Sequence, residues 1–99
     1  MLKERITTDL KNAMKRGDAG VVLVLRMVLS AIRNKEIEKR VENLTDEDTE
    51  AVLATEARKR KEASTGFEQG GRPELAEKEK QELAIIKQYL PEEASEEEI

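Results

Sequence analysis

The chain has 99 residues, of which 37% are hydrophobic, 2% aromatic and 40% charged, with a formal net charge of −4 at pH 7. That length supports one domain with a modest core, and that balance is the profile of charge-rich helices, which excludes a β-sandwich or an aromatic-lined ligand pocket. Cysteine and histidine are both absent, so disulfides, thiolate chemistry, the commonest general base near neutral pH and the commonest transition-metal ligand are all excluded.

From Leu2 to Arg16, apolar residues fall at Leu2, Ile6, Leu10, Ala13 and Met14, the stripe of an amphipathic helix. Gly17 suits the left-handed position past a helix end, and Asp18 suits the N-cap of the next, so a very short turn should fold the two back on each other. The run Val21 to Ile32, VVLVLRMVLSAI, is apolar on nearly every side. Its helical continuation through Ile37 argues for a buried central helix from about Ala19 to about Arg40, with Glu36 and Arg40 paired four residues apart near its end. Arg26, Ser30 and Arg33 share one narrow strip of that helix, the only polar line on its buried part.

Glu42-Asn43-Leu44 reads as a loop, and Thr45 followed by Asp48 as a capping box that opens a third helix. That helix should reach Phe67 to Gln69 with a thin apolar face of Val52, Leu53, Ala57 and Phe67. Gly70-Gly71 ends it, and Pro73 stands where the first turn of a fourth helix tolerates a missing N–H. The fourth helix, from about Pro73 to Tyr89, places Leu75, Leu83, Ile86 and Leu90 on one side and should pair antiparallel with the third. Leu90-Pro91 closes it. Ser95 and Glu98 repeat the capping pattern and announce a fifth helix that the chain leaves truncated at Ile99. The expected fold is therefore all-α: a four-helix domain over residues 1–91 around a buried second helix, and a linker or helix start over 92–99.

Charge is uneven along the chain. Residues 1–70 carry 14 Lys and Arg against 13 Asp and Glu, whereas residues 71–99 carry 4 against 9, so a polyanion should approach the first part. The cluster Arg58, Lys59, Arg60 and Lys61 points around a whole helical circumference, so some of it must face outward and can meet phosphates without sequence readout. A solvated face paired with Glu56 and Glu62 is the blander reading. Glu74, Glu77, Glu79 and Glu82, interleaved with Lys78 and Lys80, read as a solvated helix face and not as an acid/base pair or a cation site. Gly66, Gly70 and Gly71 lack the strand and lysine of a phosphate-cradling loop and read as helix punctuation. No serine has a histidine to activate it, so no catalytic residue, cofactor or metal is expected. The longest apolar run is too short to span a bilayer and holds Arg26 in its middle. The N-terminus lacks a signal-peptide pattern, which leads to an expected cytoplasmic location.

Three blocks add up to something more specific. Leu25-Arg26-Met27-Val28 with Ile32-Arg33-Asn34-Lys35-Glu36-Ile37, then Arg60-Lys61 leading to Phe67, then Gly71-Arg72-Pro73-Glu74-Leu75 followed by Glu79, Glu82, Ile86 and Tyr89-Leu90-Pro91 closely resemble the YqeY family of small bacterial proteins. The resemblance covers essentially the whole chain. It implies a helical N-terminal domain followed by a three-helix C-terminal domain that this sequence does not contain. That second domain is similar to the tail of the B subunit of glutamine-dependent tRNA amidotransferase, where it contacts tRNA. What the resemblance implies is an accessory protein that binds tRNA or assists tRNA-dependent amidation, a carbon–nitrogen ligation with glutamine as amide donor. Arg58, Lys59, Arg60, Lys61 and Arg72 would be its nucleic-acid contacts. The alternative is a helical protein–protein interaction domain that touches no RNA.

Overall fold

The computed structural model describes residues 1–91. They form four helices and no strand: α1 (Leu2–Arg16), α2 (Ala19–Lys39), α3 (Asp46–Gln69) and α4 (Pro73–Lys87). The chain divides into two compact units, Met1–Val52 and the described remainder from Leu53 onward. The division falls within α3. The helix start expected at Ser95 lies outside the described residues.

In the first unit, Gly17 adopts the left-handed conformation with φ 73°, where a side chain would be strained. Its N–H and that of Asp18 close on the carbonyls of Met14 and Ala13. The Asp18 carboxylate then accepts the N–H of Val21 at 3.3 Å, so α1 and α2 are joined by the short turn the sequence predicts. Ile6 and Ala13 of α1 and Val24, Leu25, Val28 and Ile32 of α2 are buried, and these apolar residues hold the unit together.

The burial of α2 is narrower than its composition suggests. One stripe is covered, whereas Leu23 is 48% and Ile37 61% exposed. Arg26, Ser30 and Arg33 lie on the exposed side, so the polar strip expected inside the fold is on its surface. Geometry accounts for this: a helix of roughly six turns paired mainly with one neighbour buries one face, whatever residues stand on the others. The helix also ends one residue earlier than expected, because Arg40 takes the left-handed conformation with φ 59° and caps it.

In the second unit, α3 and α4 form the expected antiparallel hairpin. Gly71 makes the turn with φ 76°, and the N–H of Arg72 reaches back to the Phe67 carbonyl at 2.8 Å. Lys80 pairs with Glu68 near the turn, and Arg60 with Glu82 farther from it. The buried residues of α4 are Ala76, Glu82 and Ile86; the helix ends at Lys87 with Gln88 as its cap, two residues short of the expected Tyr89, which is buried just past that end. Leu75, Leu83 and Leu90 are half-buried, so the inward stripe is rotated slightly from the one the leucines mark. On the part of α3 in this unit, Leu53, Ala57, Arg60 and Ser64 are buried, spaced three and four apart.

Candidate nucleic-acid interface

The four cations of α3 do not share one fate. Arg60 is only 8% exposed, with a terminal guanidinium nitrogen 2.8 Å from Glu56 Oε1 and its Nε 3.6 Å from Glu82 Oε1 on α4. It is one spoke of the hairpin's interior and not a surface contact. Glu82 is likewise buried, which corrects the expectation of a wholly solvated carboxylate face. The readable signal was its position, four residues before Ile86 and seven before Tyr89, on the inward stripe.

Arg58, Lys59 and Lys61 are exposed. Lys59 lies 3.5 Å from Glu56, and the terminal cation remains largely in water. Arg58 and Lys61 line a shallow open groove along the outer face of α3 together with Glu62, Thr65, Gly66 and Gln69. These positions are three and four residues apart, so the helix itself aligns them. Gly66 leaves open space where a Cβ would stand, which lets a ligand lie close to the helix backbone. Glu62 sets one carboxylate among the groove's two cations, so the positive field is moderate and directional.

Arg72 is exposed at the N-cap position of α4 and makes no side-chain cap. Arg58 and Gln69 are separated by roughly 16 Å along the axis of α3, and Arg72 lies beyond that end. Arg58 and Lys61 share one groove, and Arg72 is set apart from them along the hairpin. Such an arrangement suits an extended chain of phosphates.

The most tightly tied carboxylate belongs to the first unit. Glu36 is fully buried. It accepts Lys3 Nζ at 2.8 Å, Arg33 at 3.3 Å and the Leu44 N–H at 3.1 Å. Lys3 also donates to Asn43 at 3.2 Å. The Lys3 hydrogen bond is the main cause that holds the Glu36 carboxyl below its ordinary value of 4.5; burial opposes it, and the Leu44 and Arg33 bonds add to it. The expected Glu36–Arg40 pair is therefore not formed: Glu36 turns inward, and Arg40 sits at the helix cap. Glu36 joins α1, α2 and the loop before α3, a structural role with every oxygen occupied. Sequence spacing could not reveal it, because Lys3 is 33 residues away.

Among the described residues, no group of three or more Asp and Glu side chains could hold a metal ion, and no helix is long and apolar enough to cross a membrane. The site is thus an all-helical surface with a basic outer edge. The chain belongs to the family described as Yqey-like protein, whose model matches residues 3–99.

Relatives give the family a wider setting. The chain is 35% identical over 85 residues to Altered inheritance of mitochondria protein 41, mitochondrial, of Candida glabrata, covering 85% of this chain and 47% of that protein. It is 34% identical over 82 residues to the protein of the same name from Eremothecium gossypii, covering 83% and 45%. An uncharacterized protein of Schizosaccharomyces pombe is 34% identical over 94 residues, 95% of this chain and 76% of that one. The chain spans about half the length of the two mitochondrial relatives.

These relatives correct two expectations. They are fungal, which overturns a purely bacterial setting, and the first two are mitochondrial by name, which overturns the cytoplasmic one. The cytoplasmic reading rested on the lack of a spanning or signal segment in these 99 residues, and such a lack does not specify an address. Their names mention neither tRNA nor amidation.

Proposed function

We propose that this chain is an accessory module that contacts the backbone of tRNA and assists tRNA-dependent amidation without carrying the reaction itself. The observation that carries the reading is the outer face of α3, where Arg58 and Lys61 stand exposed along a groove floored by Thr65 and Gly66. Lys59 and Arg72 extend the same cationic edge. Family membership supports it only through the company the family keeps, since the domain similar to the amidotransferase B-subunit tail is not among these 99 residues. Contacts of this kind position an RNA and give no base readout. With only Phe67 and Tyr89 as aromatics, and Tyr89 buried, stacking on single-stranded bases contributes little. The amide chemistry belongs to other chains in this reading, and this protein supplies orientation.

The test is binding of total tRNA to the full chain over about 50 to 200 mM salt, compared with the Arg58→Ala/Lys59→Ala/Lys61→Ala variant. Arg60 is left intact because it holds the hairpin. Weaker binding with a flatter salt dependence is the expected result. A variant that binds with the parent's affinity and slope removes α3 from the interface and the proposal with it.

A second reading, a helical protein-interaction domain that touches no RNA, is favoured by Leu23 and Ile37, two large apolar side chains left exposed on α2.

A further inference from the structure

The outward face of α2 is ordered in a way that its composition alone does not require. Leu23, Met27, Ser30, Asn34 and Ile37 are spaced four, three, four and three apart, which draws a straight seam of roughly 21 Å along the helix. Leu23 and Ile37 mark its ends and are about half exposed or more; Met27 is half-buried, and Ser30 and Asn34 are exposed between them. Arg26 and Arg33, seven residues apart, lie along one edge of this seam, and Arg40 follows at the helix cap. Arg33 also reaches Glu36 at 3.3 Å, yet its side chain remains 62% exposed. The other edge carries Val24, Ala31 and Glu38, of which Val24 is buried and Glu38 already accepts Lys35 at 2.9 Å.

We infer that this seam is a docking strip for an amphipathic helix of another protein, one whose apolar row is bordered by Asp and Glu that meet Arg26, Arg33 and Arg40. The inference rests on the protein-interaction reading and gives it a place and a partner chemistry. Charge decides against a second copy of this chain as the occupant. An antiparallel twofold pairing brings each edge against itself, so arginines would face arginines. A parallel pairing sets the arginine edge against the edge of Val24, Ala31 and Glu38, one carboxylate for three cations. An acidic edge on a different helix satisfies the arginines along their whole length, and the apolar ends of the seam supply burial. Ser30 and Asn34 at its centre fix register, as single polar seam positions do in coiled coils.

The experiment titrates the full chain with two synthetic 21-residue helical peptides that share one leucine seam, one edged with Glu and the other with Lys. Fluorescence anisotropy reads binding, and circular dichroism checks that each variant is folded. Ile37→Asp and Arg26→Glu alter exposed side chains, whereas Arg33→Glu also removes one of the three donors to buried Glu36, so Arg26→Glu alone is run beside the double variant and must shift preference in the same direction. The expected result is that the parent prefers the Glu-edged peptide by tenfold or more, that Ile37→Asp weakens it by a similar factor, and that the double arginine reversal switches preference to the Lys-edged peptide. Binding insensitive to both variants sinks the strip while leaving protein docking elsewhere intact. If neither peptide binds, the strip and the interaction reading both lose their support. Self-association in sedimentation that Ile37→Asp abolishes would identify a second copy as the occupant. Loss of tRNA affinity in the arginine reversal, with Ile37→Asp silent, would identify the edge as an RNA contact. Either result overturns the inference.

Discussion

Glu36 and Arg60 are both charged residues in the interior, and they differ in how they are satisfied. Glu36 has three donors, of which Lys3 and the Leu44 N–H are at 2.8 and 3.1 Å. Because its carboxyl titrates lower in the folded chain than in the unfolded one, folding is favoured at pH values above its ordinary value of 4.5, and that contribution is lost as the pH falls through the lowered folded value. The Glu36→Gln variant should therefore be less stable than the parent at neutral pH and should have a shallower acid limb, read by thermal denaturation between pH 7 and pH 3. A parent and variant with superimposable acid limbs would remove Glu36 as the cause. Arg60 bridges two carboxylates, Glu56 on its own helix and Glu82 across the hairpin. Arg60→Ala strands Glu82 beside an apolar interior and should cost about 3 kcal/mol, whereas Arg60→Met with Glu82→Leu should recover much of that loss. Chemical denaturation of the single and double variants checks it.

The starts of α2 and α3 follow from local chemistry. Asp18 caps α2 through the Val21 N–H, and Thr45 Oγ1 accepts the Asp48 N–H at 3.1 Å to start α3. Only half of that capping box forms, since the Asp48 carboxylate pairs with Lys39 instead of returning to Thr45. The exception to local logic is Arg40, a non-glycine residue at φ 59°. Helices that end this way usually employ glycine, because a side chain crowds the following carbonyl in the left-handed region. Replacing Arg40 with Gly should stabilise the fold by about 1 kcal/mol, seen as a raised denaturation midpoint. An unchanged or lowered midpoint would mean that the arginine side chain contributes more than the strain it brings. The sequence pointed to helix through this position; the Val41 N–H bonding to the Glu36 carbonyl closes the helix one residue sooner.

For the molecule as a whole, a net charge of −4 means that any polyanion must find a local field against an unfavourable background. The exposed cations of α3 provide one, and the arginine edge of α2 another. If Arg58, Lys59 and Lys61 each meet a phosphate, removing all three should flatten the logarithmic salt dependence of tRNA binding by about three, whereas Ile37→Asp on α2 should leave that dependence unchanged. Measuring both variants over the same salt series separates the two surfaces. The relatives' mitochondrial names bear on setting and not on this electrostatics, since they are matched over less than half of their own length.

The four helices, their order and nearly all their ends were determined by the sequence alone, because caps, left-handed glycines, proline and apolar spacing act within a few residues of where they stand. Gly17, Asp18, Thr45, Gly71 and Pro73 each did what their local chemistry dictates. Which of four consecutive cations would be buried was decided only by tertiary structure. So were the partner of Glu36 thirty-three residues away and the exposure of the Arg26–Ser30–Arg33 strip. Local chemistry does not tell one face of an apolar helix from another. The neighbouring helix selects the face it covers, and the rest stays open to solvent or to a partner.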